Sequence, residues 1–174
     1  IWQCSSTTRI PGISGNVDLD FAYKNYENPI TSVIGYWSLY GNDWYFIDAN
    51  GQYVTGWQFI NGNWYYFAGN TVMTTGWQYV NGNWYYMDAS GAMKTGWQYI
   101  NGKWYFLEKS GTMTMGWQHI SGHWYYMDWT GIMTTGWQYI GGHWYYMNAD
   151  GIMVTGRHYI NKRWYYFNAN GVWN

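Results

Sequence analysis

Seven tryptophans recur at twenty-residue intervals: Trp44, Trp64, Trp84, Trp104, Trp124, Trp144 and Trp164. A second ladder runs seven residues ahead of it, through Trp37, Trp57, Trp77, Trp97, Trp117 and Trp137, with Arg157 in the seventh place. An indole face is electron-rich, and two of them per unit suit a cation that cannot donate a conventional hydrogen bond. A quaternary ammonium is such a cation, and each ring that encloses it contributes roughly 0.5–2 kcal/mol, depending on desolvation. A methionine follows each pair, at Met73, Met93, Met113, Met133 and Met153; Tyr53 takes the first of these places and Trp173 the last. Its polarizable thioether suits the floor of an aromatic cage. Two other readings use the same rings: as the core of a repeat protein, or as a platform on which sugars stack. Gln58, Gln78, Gln98, Gln118 and Gln138 recur as candidate sugar-binding groups. Composition and spacing leave these readings open.

The elements that must position the rings follow from the period. Self-similarity at twenty residues means stacked copies of one supersecondary unit, each too small to bury a core alone. In residues 75–87, TGWQYVNGNWYYM, the pair Asn81-Gly82 separates two runs of aromatic and β-branched residues. Asn-Gly in that setting marks a two-residue hairpin turn of type I′, which needs positive φ at both central residues. Asn61-Gly62 and Asn101-Gly102 repeat it, Ser121-Gly122 and Gly141-Gly142 substitute for it, and Asn161-Lys162 is a poorer turn. The register then pairs Val80 with Asn83, Tyr79 with Trp84 and Trp77 with Tyr86. Side chains alternate along a strand, so Trp77, Tyr79, Trp84 and Tyr86 share one face, and Gln78, Val80, Asn83 and Tyr85 the other. Tyr85 and its counterparts are expected to be core. Each hairpin leads into a connector opened by Asp48, Asp88, Asp128, Asn148 or Asn168 and turned by Gly91, Gly111, Gly131, Gly151 or Gly171; Thr71 interrupts the glycines.

Composition narrows the function classes. Aromatics make up 25% of the 174 residues, charged residues only 10%, and the net charge is −1. Such a chain lacks the basic face that neutralises nucleic-acid phosphates. It also lacks the roughly 20-residue apolar run of a transmembrane helix. Residues 1–36 stand outside the period as a loop-rich, non-repeat segment, and residues 37–174 form the repeat module. No basic stretch followed by an apolar run opens the chain at Ile1. Cys4 is a lone thiol, and Asp18, Asp20 and Glu27 do not follow the EF-hand pattern. His119, His123, His143 and His158 read as surface or packing residues rather than metal ligands. No nucleophile–base set and no paired carboxylates emerge, so neither an enzyme, a metal nor a cofactor is expected.

The segments TGWQFINGNWYYF, TGWQYVNGNWYYM and TGWQYIGGHWYYM, with their GxM connectors, resemble the choline-binding repeats of pneumococcal-type cell-surface proteins. Repeats of streptococcal glucan-binding domains and clostridial toxin tails look similar but tend to lack the second tryptophan. The resemblance covers about residues 36–174. It implies an all-β fold, a left-handed β-solenoid of hairpins each turned about a third of a revolution from the last. It also implies choline bound between successive repeats by both tryptophans of one repeat, the second tyrosine of the next WYY, and the connector methionine. On this sequence the implied sites are Trp57, Trp64, Met73 and Tyr86; Trp97, Trp104, Met113 and Tyr126; Trp117, Trp124, Met133 and Tyr146; and Trp137, Trp144, Met153 and Tyr166. Two sets depart from the pattern: Trp77, Trp84 and Met93 meet Phe106, and Trp37, Trp44 and Tyr66 have Tyr53 in place of methionine. Trp164 is expected to lack a complete cage, with Trp173 covering that end. The implied partners are choline-bearing teichoic and lipoteichoic acids, and the implied location is the outer wall of a Gram-positive bacterium. The alternatives are a glucan-binding module, the wall-binding tail of a hydrolase, or an adhesin with a host or bacterial protein partner.

Overall fold

The computed structural model describes residues 31–173. The expectations for Cys4, Asp18, Asp20, Glu27 and most of the non-repeat segment fall outside these residues. The compact unit containing the repeats begins at Ser32. Fourteen strands follow in chain order among the described residues, from β1 (Gly35–Tyr40) and β2 (Asp43–Asp48) to β13 (Gly156–Ile160) and β14 (Arg163–Phe167), with no helix between them. Among these strands each pairs only with its hairpin partner, giving seven separate two-stranded antiparallel sheets, none of them closed, and the second strand of each hairpin also bridges to its connector, as Met87 does to Met93.

Local sequence explains each hairpin. In β5 (Gly76–Val80) and β6 (Asn83–Met87) the partners are Val80 and Asn83, Tyr79 and Trp84, and Trp77 and Tyr86, the expected register. Asn81 and Gly82 have φ of 49° and 84°, the left-handed values of a type I′ turn. Asn161 and Lys162 adopt the same geometry at 49° and 66°, so the poor turn pair is forced into the shape of the others. The glutamines clasp the hairpin entrance: the Gln78 side-chain amide donates to the Thr75 carbonyl at 2.8 Å, and Gln58, Gln98, Gln118 and Gln138 repeat the bond. His158 replaces glutamine and places its ring nitrogen 2.9 Å from the Thr155 carbonyl.

A two-stranded hairpin is marginal alone, and stacking supplies the rest. The residue after each WYY, or its equivalent, forms a buried row: Ile47, Phe67, Met87, Leu107, Met127, Met147 and Phe167, all but Ile47 at 0% exposure. Burying such a side chain contributes about 1.5–3 kcal/mol. This row, with Phe46, Ile60, Val80, Ile100, Val154 and Ile160, is the core among the described residues. Tyr85 was the expected core residue; it is only half-buried, because the row shares its face and takes the axis. Main-chain bonds tie the repeats together. The Met93 amide donates to the Trp64 carbonyl at 2.8 Å, and Met73, Met113, Met133 and Met153 do the same to Trp44, Trp84, Trp104 and Trp124. Each connector is thus docked on the second tryptophan of the hairpin one repeat before its own.

Candidate functional site

The two tryptophans of a hairpin stand nearly at right angles. Trp57 and Trp64 have ring centroids 6.4 Å apart and planes 85° apart. The pairs Trp37–Trp44, Trp77–Trp84, Trp97–Trp104, Trp117–Trp124 and Trp137–Trp144 repeat this, at 6.2–6.4 Å and 83–87°. The alternation of β-strand side chains puts both indoles on one face. Their diagonal register then sets them as two adjoining walls.

The third wall differs from the expectation. The ring that the next hairpin brings to Trp57 is Tyr85, at 4.7 Å, while Tyr86 stands against Trp77 of its own hairpin at 5.2 Å. The same exchange runs through the stack. Tyr65 meets Trp37, Tyr105 meets Trp77, Tyr125 meets Trp97, Tyr145 meets Trp117 and Tyr165 meets Trp137, each at 4.8–4.9 Å. Tyr66, Phe106, Tyr126 and Tyr146 lie 5.1–5.3 Å from Trp57, Trp97, Trp117 and Trp137 of their own hairpins. Tyr166 lies beside Arg157 in the register and is exposed. The physical reason is the stacking. Alternation tells which residues share a hairpin face, but successive hairpins meet with opposite faces, so the tryptophan face of one receives the glutamine face of the next. Phe106 therefore costs the Trp77 pair nothing, because Tyr105 faces it.

The methionine shifts by one repeat as well. A cavity of about 340 Å³ opens between Trp97, Trp104, Tyr125 and Met133, with Ala149 and Asp150 at its edge. Met113, the expected floor, is not among the residues lining this cavity. The amide bond from Met133 to Trp104 explains the shift, since it fixes the connector of the following repeat beside the indole pair. By the same bond Met73 belongs with Trp37, Trp44 and Tyr65, so the first set is built like the others. Met93 falls with Trp57 and Trp64, Met113 with Trp77 and Trp84, and Met153 with Trp117 and Trp124. Trp173 takes this place beside Trp137 and Trp144: its amide donates to the Trp144 carbonyl at 2.9 Å and its ring lies 5.7 Å from Trp137. In the seventh hairpin the Arg157 guanidinium lies 4.3 Å over the Trp164 ring, so that indole already carries a cation.

The sets are open to solvent on one side: Trp104 keeps 43% of its surface exposed. Three non-parallel π faces with a sulfur at the base attract a cation of diffuse charge. Burial first, and the nearby Asp88 and Asp128 carboxylates second, raise the Tyr65 and Tyr105 hydroxyls above the ordinary phenol value. These walls therefore stay neutral beyond the usual range. Among the described residues no group of three or more His, Cys, Asp or Glu is placed to hold a metal, and no helix is long and apolar enough to cross a membrane. His119 stacks on Trp124 at 4.9 Å in the place of Tyr79. Sequence reasoning missed the Tyr85 row. Its signal was the doubled tyrosine of WYY, which supplies one ring to each side.

Comparison with known proteins places this geometry. Residues 54–95, 94–133 and 134–172 match the profile of the choline-binding repeat. No curated protein sequence matches the chain. Among solved structures, choline binding protein F from Streptococcus pneumoniae is 40% identical over 81% of this chain and 51% of its own, with a TM-score of 0.77. CbpJ from Streptococcus pneumoniae is 37% identical over 81% of this chain and 52% of its own, also at 0.77. The modular Cpl-1 endolysin, solved with a peptidoglycan analogue, is 34% identical over 73% of this chain and 39% of its own, at 0.52. The chain thus spans about half the length of the two pneumococcal proteins.

Proposed function

We propose, from the premise that this chain belongs to the choline-binding repeat family, that its stacked hairpins attach a surface protein to choline-decorated teichoic and lipoteichoic acids. The trimethylammonium of choline enters between two indoles of one repeat and the first WYY tyrosine of the next. Trp97, Trp104, Tyr125 and Met133 are the type case, and five further sets follow the same plan: Trp37, Trp44, Tyr65 and Met73; Trp57, Trp64, Tyr85 and Met93; Trp77, Trp84, Tyr105 and Met113; Trp117, Trp124, Tyr145 and Met153; and Trp137, Trp144, Tyr165 and Trp173. The observation that carries this reading is the perpendicular indole pair with a third ring across the repeat boundary, repeated along the stack with an open mouth.

One cage binds weakly, because few ligand atoms touch it. Several cages on one polymer bind far more tightly, since the first contact raises the local concentration for the rest. The module itself performs no reaction in this reading, and the chemistry of any larger protein lies elsewhere. The recurring glutamines each commit one side-chain N–H to the Thr55, Thr75, Thr95, Met115 or Thr135 carbonyl, so a glucan ligand would have to be read by the amide groups that remain. The endolysin match favours a second reading, in which the module is the wall-binding part of a hydrolase. Calorimetric titration with choline and, separately, with dextran tests the ligand. Saturable heat with choline alone is expected, and saturable heat with dextran alone would overturn the proposal.

A further inference from the structure

Trp129 is the most exposed large apolar side chain among the described residues, at 87%, and no ring contact to it occurs among them. A bare indole in water is unfavourable, and its place in the repeat has no such precedent: Ala89, Lys109, Ala149 and Ala169 stand at the equivalent positions. That place is not arbitrary. Ala149 borders the cavity formed by Trp97, Trp104, Tyr125 and Met133.

The repeat one step earlier is built the same way. Trp77 lies 4.9 Å from Tyr105, as Trp97 does from Tyr125. The Met113 amide reaches the Trp84 carbonyl at 2.8 Å, as the Met133 amide reaches Trp104. Gly131 abuts the Met113 sulfur as Gly151 abuts Met133. Asp128 also fixes the Trp129 turn, accepting from the Thr130 amide at 2.8 Å, from its hydroxyl at 2.6 Å and from the Ile132 amide at 3.0 Å. The backbone that carries Trp129 is thus held at the rim of the Trp77–Trp84 cage.

We infer that Trp129 is a fourth aromatic wall of the Trp77–Trp84–Tyr105–Met113 cage, closing over a trimethylammonium group and making this site stronger than its neighbours. The inference rests on the choline reading above. A fourth π face adds contact on the side that solvent otherwise occupies, and cation–π attraction grows as water is excluded.

The test is fluorine NMR of protein labelled with 5-fluorotryptophan, titrated with choline chloride. Trp129→Phe and Trp77→Phe identify the two signals. The Trp129 and Trp77 signals are expected to move together at one choline concentration. Trp129→Ala is expected to shift the midpoint read on Trp77 upward by roughly two- to tenfold. Ala149→Trp is expected to tighten the Trp97 cage by a similar factor. A Trp129 signal that stays still while Trp77 saturates, with the midpoint unchanged in Trp129→Ala, would overturn the inference and leave the cages standing. If no tryptophan signal responds, the choline reading itself fails, and this inference with it.

Discussion

At the scale of single residues, the tyrosine doublet separates two roles that look identical in sequence. Tyr85 crosses to the Trp57 indole, whereas Tyr86 braces Trp77 within its hairpin. Tyr85→Ala should therefore weaken choline at the Trp57–Trp64 cage by about 0.5–2 kcal/mol, the value of one π wall. Tyr86→Ala should leave that cage alone and act on the Trp77 cage instead. Signals of fluorinated Trp57 and Trp77, followed during choline titration, distinguish the two. Asp150 makes a second residue-scale difference. It borders the Trp97–Trp104 cavity, while Ser90, Ser110, Thr130 and Asn170 hold that place in other repeats. A carboxylate near an exposed cation contributes about 0.2–1 kcal/mol. Asp150→Asn should therefore loosen that cage by up to about fivefold, and the difference should fade above ~0.5 M salt, where screening shortens the reach of charge.

At the scale of the element, the connector is a compact turn whose glycine answers to two constraints. Gly91 has φ of 82°, and a Cβ there would collide with the Met73 sulfur. Gly82 has φ of 84°, but a Cβ there meets nothing within 4 Å. Gly82→Ala should cost about 1–2 kcal/mol for the left-handed backbone alone. Gly91→Ala should cost clearly more, as urea unfolding would show. Thr71 supports this account. It holds φ of 68° without glycine, and the residue eighteen positions earlier is Tyr53 rather than methionine. With no methionine to displace, a Cβ is tolerated there; Gly51, which follows Val33 at the same spacing and would meet nothing within 4 Å, keeps glycine for its φ of 78° alone.

The same turn carries an acid-sensitive group. Burial alone would raise the Asp88 carboxyl, but hydrogen bonds from the Ser90 hydroxyl and amide and the Ala92 amide, with Lys94 3.5 Å away, outweigh it and hold it below the ordinary value. Its folded value thus lies below its unfolded one. The stability it contributes is present above the unfolded value and is lost as pH falls through the folded one. Asn148 and Asn168 accept the equivalent amide bonds without a titrating proton. Asp88→Asn should therefore flatten the loss of melting temperature between about pH 5 and pH 2, which thermal unfolding in that range measures.

At the scale of the whole molecule, each repeat depends on its neighbour for both stability and function. The core row is shared, the connector amide crosses the repeat boundary, and every cage takes rings from two hairpins. Ligand bound only by the folded stack adds RT ln(1 + [L]/Kd) per site, so melting temperature should climb with choline concentration. A flat melting temperature at high choline would contradict binding at the cages. Trp104→Ala removes a ring from one cage and the partner of Tyr99, which stacks on it at 5.0 Å. Retention on a choline resin should fall several-fold in that variant, because losing one of several linked contacts multiplies through the rest. Retention equal to the parent in a folded variant would mean that the Trp97–Trp104 cage takes no part.

The twenty-residue period, the turn pairs and strand alternation made the hairpins legible in the sequence. They depend on contacts between residues close in the chain, such as Asn81-Gly82 and the facing of Trp77 and Tyr86. The indole pair of each cage lies within one hairpin, and so it too was legible. What only the tertiary structure decided was the partner across the repeat boundary: Tyr85 rather than Tyr86, and Met133 rather than Met113 for Trp97 and Trp104. That choice depends on how one hairpin turns relative to the next. The turn is set by the packing of the Met87 row and by the amide bond from each connector to a tryptophan carbonyl twenty-nine residues earlier. A period states that units repeat, and it is silent on the angle between them, because that angle arises from contacts between copies rather than from the residues of any one copy.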